Sequence, residues 1–372
     1  MKKVISILLT VFTLSTFAFS IESGLYKGSS NTVSDDSASY MDVLGWQNLY
    51  FENLYAFTSI DSTKSVNIAA ANNFLDGVLA YSYSGNLWGE DVVDEYALFY
   101  GFDKFGVLFN LETNSVDNGM IQQIGVNNYS FLSPSLKFGM NINDAFAFTA
   151  GFKLAHEGGK ITNDAMKYTV YQNIPEVQLA GYYTFMNTSK VYASANISYD
   201  GRFGSTKAST TVGDTTTTTK STENQNTIAL GLSAEVRLAD RFIYGLDATL
   251  PSITFISGKN FDGDAIPNQS QVSFEVRNGF VATLIPDTLL VSMGMTTTLP
   301  SITYIEKQDR VLGSLYNSYD FALGLYLSPA VRIDGSCSIS PVDGISLEEI
   351  WNSEMNLTVS VNFYNTSQNS EF

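Results

Sequence analysis

Between Phe131 and Ala155 the chain alternates apolar and polar residues twice, on either side of a two-residue break. Few folds can use such a pattern. Ahead of Asn143-Asp144, Pro134, Leu136, Phe138, Met140 and Ile142 share one face, and Ser135, Lys137, Gly139 and Asn141 share the other. Beyond the break, Phe146, Phe148, Ala150, Phe152 and Leu154 alternate with Ala147, Thr149, Gly151 and Lys153. Side chains that change face at every residue belong to β-strands, and a tight Asn-Asp link makes the two strands a hairpin. Lysines on the polar faces exclude the interior of a soluble sandwich. Each strand is about 10–11 residues long, enough for a tilted strand to cross a bilayer. The spacing predicts one hairpin of a membrane barrel, with its apolar face to lipid and its polar face to a lumen.

The same alternation recurs down the chain. Tyr96, Leu98, Tyr100 and Phe102 form one such set; Leu230, Leu232, Ala234 and Val236 another; Leu323, Leu325 and Leu327 a third; Met355, Leu357, Val359 and Val361 the last. Short links at 103–104, 143–144, 186–189, 239–241, 286–287 and 328–329 alternate with long ones near 113–130, 156–174, 201–225, 252–272, 298–315 and 341–353. Short turns belong on the periplasmic side and long loops outside. The expected fold class is therefore all-β: a transmembrane antiparallel up-and-down β-barrel of about 14 strands, within a range of roughly 12–16. Counting from Gly77 gives about 14, and candidates at 48–57 and 66–70 raise the count to about 16. Residues 21–75 are read as either a plug inside the barrel or its first strands, 76–364 as the barrel and 365–372 as a tail. The Thr-rich stretch Ser209–Thr222 is expected to be a mobile surface loop.

The N-terminus indicates a compartment. Lys2 and Lys3 precede an apolar run from Val4 to Phe17, and Ala18-Phe19-Ser20 offers small residues for cleavage. Residues 1–20 read as a secretory signal peptide, cleaved near Ser20, and the expected location is a bacterial outer membrane. Loss of the two lysines takes the net charge from −17 to −19, which disfavours nucleic acid as a partner. Lipid of the outer membrane is the expected surrounding. Only 15% of residues are charged while 13% are aromatic, as a barrel with lipid contact requires. A single cysteine, Cys337, excludes an internal disulfide, and its strand position favours an inert thiol facing lipid.

No residue pattern points to catalysis, and no cofactor is expected. His156 is the only histidine, so any Ser-His-Asp arrangement would need it, and no serine or aspartate motif accompanies it. No His-x-x-His or Glu-x-x-His spacing suggests a transition metal, and the default reading of Asp262-Gly263-Asp264 is a solvated turn. The candidate site is the lumen lining instead: Lys137, Lys153, Glu235, Arg237, Asp247, Glu275, Arg277, Asp320, Arg332 and Asp334. Each such charge would cost about 2–4 kcal/mol at mid-bilayer if it pointed at lipid. They serve as a selectivity lining or satisfy one another in the wall, with Glu235 and Arg237 expected to reach Asp247 across strands. Between them the inward positions are mostly small, and small residues cannot fill a ring wider than about eight strands.

A barrel of this size with an N-terminal segment that can enter its lumen resembles the FadL/TodX family of outer-membrane hydrophobic-substrate channels. The resemblance is one of layout from residue 21 onward and rests on no motif; the Asn-Pro-Ala element common in that family's plug is missing here. It implies import of a hydrophobic compound. The residues themselves favour a channel passing small polar solutes by diffusion, the solute unspecified. A surface-structural or adhesive barrel acting through long external loops is the other class. The strand Met355–Phe363, ending in an aromatic residue, resembles the C-terminal signal read by the barrel-assembly machinery, an expected partner, although the chain runs on to Phe372.

Overall fold

The computed structural model describes residues 55–362, apart from 62–64, 76, 87–92, 103, 115–125, 144, 163–166, 189, 240, 286–287, 309, 329–330 and 340–354. The described residues are strands and turns. They comprise β1 (Tyr55–Asp61), β2 (Ser65–Phe74), β3 (Gly77–Asn86), β4 (Val93–Phe102), β5 (Phe105–Asn114), β6 (Val126–Asn141), β7 (Phe146–Thr162), β8 (Lys167–Asn187) and β9 (Val191–Val212). The second half holds β10 (Thr215–Ala239), β11 (Phe242–Lys259), β12 (Ala265–Ile285), β13 (Leu289–Thr298), β14 (Ile302–Ile305), β15 (Val311–Leu312), β16 (Tyr316–Ser328), β17 (Val331–Ile339) and β18 (Met355–Asn362).

Every strand from β1 to β13 pairs antiparallel with the next; β13 passes to β16, and β16 to β17 and β18. β18 pairs in turn with β1, through Phe57 opposite Asn362 and Ile60 opposite Val359. The sheet thereby closes on itself. Of the 18 strands, β14 and β15 form a small hairpin off the edge of β12, which leaves 16 in the ring. The ring from β3 onward supplies 14 of these, and β1 and β2 complete it. The first described strand, at 55–61, overlaps the candidate at 48–57, whose residues 48–54 lie outside the described residues. Residues 21–54, where a plug is a candidate, fall outside the described residues, as do residues 1–20, expected to be a signal peptide, and the tail after Asn362.

Closure has an energetic cause. Hydrocarbon offers no hydrogen bonds, so a sheet that crosses it can leave no edge unpaired. The outward face is what lipid demands. Cross-strand neighbours Leu98, Phe109, Leu136 and Phe152 run round the wall in one row, and Leu136 and Phe152 are 52% and 50% exposed. Side chains of this size left in water would forfeit roughly 1.5–3 kcal/mol each, so a belt of them specifies a hydrocarbon environment. Near the short turns the belt becomes aromatic. Phe146 stacks on Tyr183 at 4.7 Å, and Phe102 meets Phe105 edge-on at 5.7 Å. Such rings mark the membrane–water boundary. The β6–β7 turn is closed by Asn143, whose Oδ1 accepts the backbone N–H of Ala145 and of Phe146, both at 2.9 Å.

The opposite side of the ring departs from expectation. Three connections read as long loops continue as paired strand well past the bilayer. β10 runs for 25 residues, β9 for 22, and β8 and β12 for 21, against 10 each for β2, β3, β4 and β5. At about 3.4 Å per residue, β10 is some 85 Å long and the short strands about 34 Å. The Thr-rich stretch is not a mobile loop. Ser209 lies opposite Thr218 and Thr211 opposite Thr216, with their hydroxyls 3.0 Å apart in each pair. Threonine's branched Cβ favours extended backbone, so a run of threonines with one tight turn zips rather than frays. That turn is Gly213-Asp214, with Gly213 at φ +57°, as a two-residue hairpin loop with glycine in its first central position requires.

Candidate functional site in the barrel lumen

Inward positions of β4 to β13 carry the polar half of the alternation, and register stacks them into rows. One row runs Lys153, Glu176, Arg202 across β7, β8 and β9. Lys153 Nζ also reaches past β6 to both carboxylate oxygens of Glu112 on β5, at 2.9 and 3.0 Å. Arg202 Nε lies 3.5 Å from Glu176 Oε1. Glu112, Lys153, Glu176 and Arg202 therefore alternate in sign along a quarter of the wall. Beside them Lys137 lays its stem across Gly151, its cross-strand partner, where an added Cβ would stand 3.4 Å from Lys137 Cγ.

Further round, Ser233 on β10, Asp247 on β11, Arg277 on β12 and Thr296 on β13 face one another in a single row. The row above it holds Asn196, Gly231, Thr249, Glu275 and Thr298. Apart from Thr296, these two rows line a cavity of about 360 Å³, together with Tyr182, Ser198, Asp200 and Thr227. Gly231 makes room for it: a Cβ there would meet the Asn196 amide at 2.5 and 2.6 Å, so the absence of a side chain lets Asn196 lie flat over β10.

The ion pairing differs from the expected cross-strand ladder. Glu235 and Arg237 do not reach Asp247; they pair with each other, Nε to Oε1, at 3.5 Å near the short-turn rim. Arg277 lies directly opposite Asp247 in the register, yet its Nε donates to Glu275 Oε1 at 2.7 Å. Two residues apart on one strand share a face, so the Arg277–Glu275 pair forms without crossing the sheet. Asp247 is left 6% exposed; neither of its carboxylate oxygens meets a donor in full hydrogen-bond geometry among the described residues, and the Ser233 hydroxyl opposite is the group that faces it. For Asp320, Arg332 and Asp334 the backbone register alone is described: Asp320 lies opposite Gly294 and Ser338, Arg332 opposite Tyr326 and Ser360, and Asp334 opposite Gly324 and Thr358.

Sequence alternation missed two features of the wall. Phe99 and Leu108 are apolar residues on the inward face; they are cross-strand partners, 2% and 8% exposed, and form a greasy patch on β4 and β5. Arg202 was hidden because its segment read as loop. A register drawn from the full length of β8 and β9 would have set it beside Glu176.

His156 faces away from the lumen. Its Nδ1 is 2.6 Å from Asn173 Oδ1, and its ring lies 6.0 Å from Tyr171 at 17°. Asp262 and Asp264 sit in the β11–β12 turn, where their backbone N–H groups donate to Asn260 Oδ1 at 3.0 and 2.9 Å. Among the described residues no three His, Cys, Asp or Glu side chains gather as a metal ion would need. Cys337 lies within β17, opposite Phe321.

No protein-family profile matches the chain, and no characterised protein matches it by sequence. Solved structures of similar layout are outer-membrane β-barrels. The alcaligin outer-membrane receptor FauA from Bordetella pertussis is 8% identical, with a TM-score of 0.47 over 85% of this chain and 77% of that one. A FadL homologue from Pseudomonas aeruginosa is 10% identical, with a TM-score of 0.43 over 87% and 93%. The ferric yersiniabactin uptake receptor FyuA from Yersinia pestis is 10% identical, with a TM-score of 0.37 over 78% of this chain; the match spans 61% of the receptor's length.

Proposed function

We propose that this chain is a channel of the bacterial outer membrane that passes small polar solutes by diffusion. One observation carries the reading: the inward face from β7 to β12 is a lining of opposed charges and hydroxyls around a polar cavity, while the outward face is a hydrocarbon belt. Charge pairs on a wall give a passing ion or polar solute a succession of weak partners, which is how wide pores select without binding tightly. A polar lining does not suit a hydrophobic cargo, so this reading stands ahead of an importer of hydrophobic compounds. Delivery would follow from export by the N-terminal signal segment. β18 closes the ring against β1 and would be the strand that the barrel-assembly machinery engages. His156 takes no part in this reading, because it is held by Asn173 and Tyr171 on the outer face.

A second reading rests on the strand extensions. The hairpins β7–β8, β9–β10 and β11–β12 raise a sheet on one side of the mouth, a surface suited to a structural or adhesive role. Planar-bilayer recording separates the two. The channel reading expects stable ohmic steps from full-length protein; a folded, inserted protein that stays silent would favour the second. A version lacking residues 21–54 tests whether the N-terminal segment obstructs the lumen, because deletion ending there leaves β1 whole.

A further inference from the structure

The cavity on the inner wall holds a carboxylate that the wall itself does not use. We propose that it is a binding station for a small hydroxylated amine, a cation of amino-sugar size whose ammonium group is held by Asp247. This rests on the channel reading and names the class of solute the wall selects.

Asp247 is the group at the centre of this station. It is 94% buried by its 6% exposure and lines the cavity; among the described residues it has no ion-pair partner, and the Ser233 hydroxyl opposite it is its neutral neighbour, short of full hydrogen-bond geometry. Leaving a buried acceptor unpaired is costly, more so for a carboxylate, and folds tolerate it where a ligand completes the site. The one base within reach in the register, Arg277, is engaged with Glu275 at 2.7 Å, and Thr298 Oγ1 stands 3.4 Å from the second Glu275 oxygen. Glu275 thus takes the guanidinium, and Asp247 is left facing the neutral Ser233 hydroxyl.

Formal charge sets the sign of the ligand. Among the described residues that line the cavity, Asp200, Asp247 and Glu275 are acids and Arg277 is the base, a formal balance that disfavours an anion. The remaining lining sets its polarity. Ser198, Thr227, Ser233, Thr249 and Ser273 present hydroxyls and Asn196 an amide, each able to donate and accept, which matches a ligand bearing several hydroxyl groups. A volume of 360 Å³ lies at the small end of ligand sites, which span roughly 300–1,000 Å³. With no cluster of three ligating side chains among the described residues, a divalent ion has no cage there, whereas an ammonium group needs one carboxylate and neutral acceptors.

The probes are glucosamine, its uncharged relative N-acetylglucosamine, and glucose. Each is measured by equilibrium dialysis against full-length protein in detergent. Glucosamine is expected to bind about tenfold tighter than either neutral sugar, the usual increment for an ionic hydrogen bond. Asp247→Asn should remove that preference, and Asp264→Asn in the distant β11–β12 turn should keep it. Equal binding of all three sugars by the native protein would overturn the proposal, and so would a preference that survives in folded Asp247→Asn. The native comparison decides the matter even where the variant fails to fold. Because binding is read without current flow, a silent protein in the bilayer would remove the channel reading and leave this test standing.

Discussion

Lys153 holds Glu112 with both carboxylate oxygens within 3.0 Å of its ammonium group, and the two residues lie two strands apart. The contact ties β5 to β7 over the top of β6 by side chains alone. Both partners are partly exposed, so the pair contributes modestly, on the order of 1 kcal/mol. A double-mutant cycle with Lys153→Met and Glu112→Gln, read by urea unfolding in detergent, should show a coupling energy of that size that shrinks in high salt. A cycle that closes at zero at low salt would mean the contact does not persist.

Leu136 and Gln178 test the two faces by the same substitution. Leu136→Arg places a charge in the hydrocarbon belt and should cost about 2–4 kcal/mol of folding free energy in liposomes. Gln178→Arg, on the inner wall, should cost less than about 1 kcal/mol and alter ion selectivity instead. Equal costs would contradict the assignment of the faces.

The Thr-rich hairpin invites proteolysis as a test. Lys207 and Lys220 are exposed, and they face each other across the β9–β10 ladder. A paired strand does not fit a protease cleft, so trypsin acting on the inserted protein should leave both sites intact. Gly213→Val should cost about 1–2 kcal/mol locally, because valine resists the positive φ of the turn. Its effect should be cleavage at Lys207 and Lys220, with the membrane ring still folded. Rapid cutting in the native protein would restore the mobile-loop reading.

What the sequence made legible was period. Wherever one face meets lipid and the other water, as from Leu136 to Asn141, strand, face and turn follow from alternation alone. Where both faces meet water, alternation loses its cause. The upper halves of β8, β9 and β10 therefore read as loop although their threonines favour strand. Site geometry was legible only in part. The charges at Lys153, Asp247, Glu275 and Arg277 could be placed inward, but which of them pair depends on register across three strands and on rotamer. That is why Arg277 turns to Glu275, two residues away, rather than to Asp247 opposite. Phe99 and Leu108 were obscured for another reason: an apolar residue on a polar face breaks the pattern, and pattern is all that period detects.

Gly231 is a further point where a side chain would have a defined effect. Valine there must displace the Asn196 amide from the cavity floor. Gly231→Val is expected to weaken binding of polar solutes to the lumen several-fold while leaving the β-sheet signal in circular dichroism unchanged. Unchanged binding would mean that the Asn196 amide makes no contact with what passes.

A membrane barrel is defined by which of its residues touch lipid. In a background with Cys337→Ala, single cysteines at 135, 136, 152 and 153 would carry a fluorescent label in protein reconstituted into liposomes. Quenching by brominated acyl chains should reach positions 136 and 152, and quenching by aqueous iodide positions 135 and 153. Iodide access at all four positions, or the opposite alternation, would contradict the barrel as described.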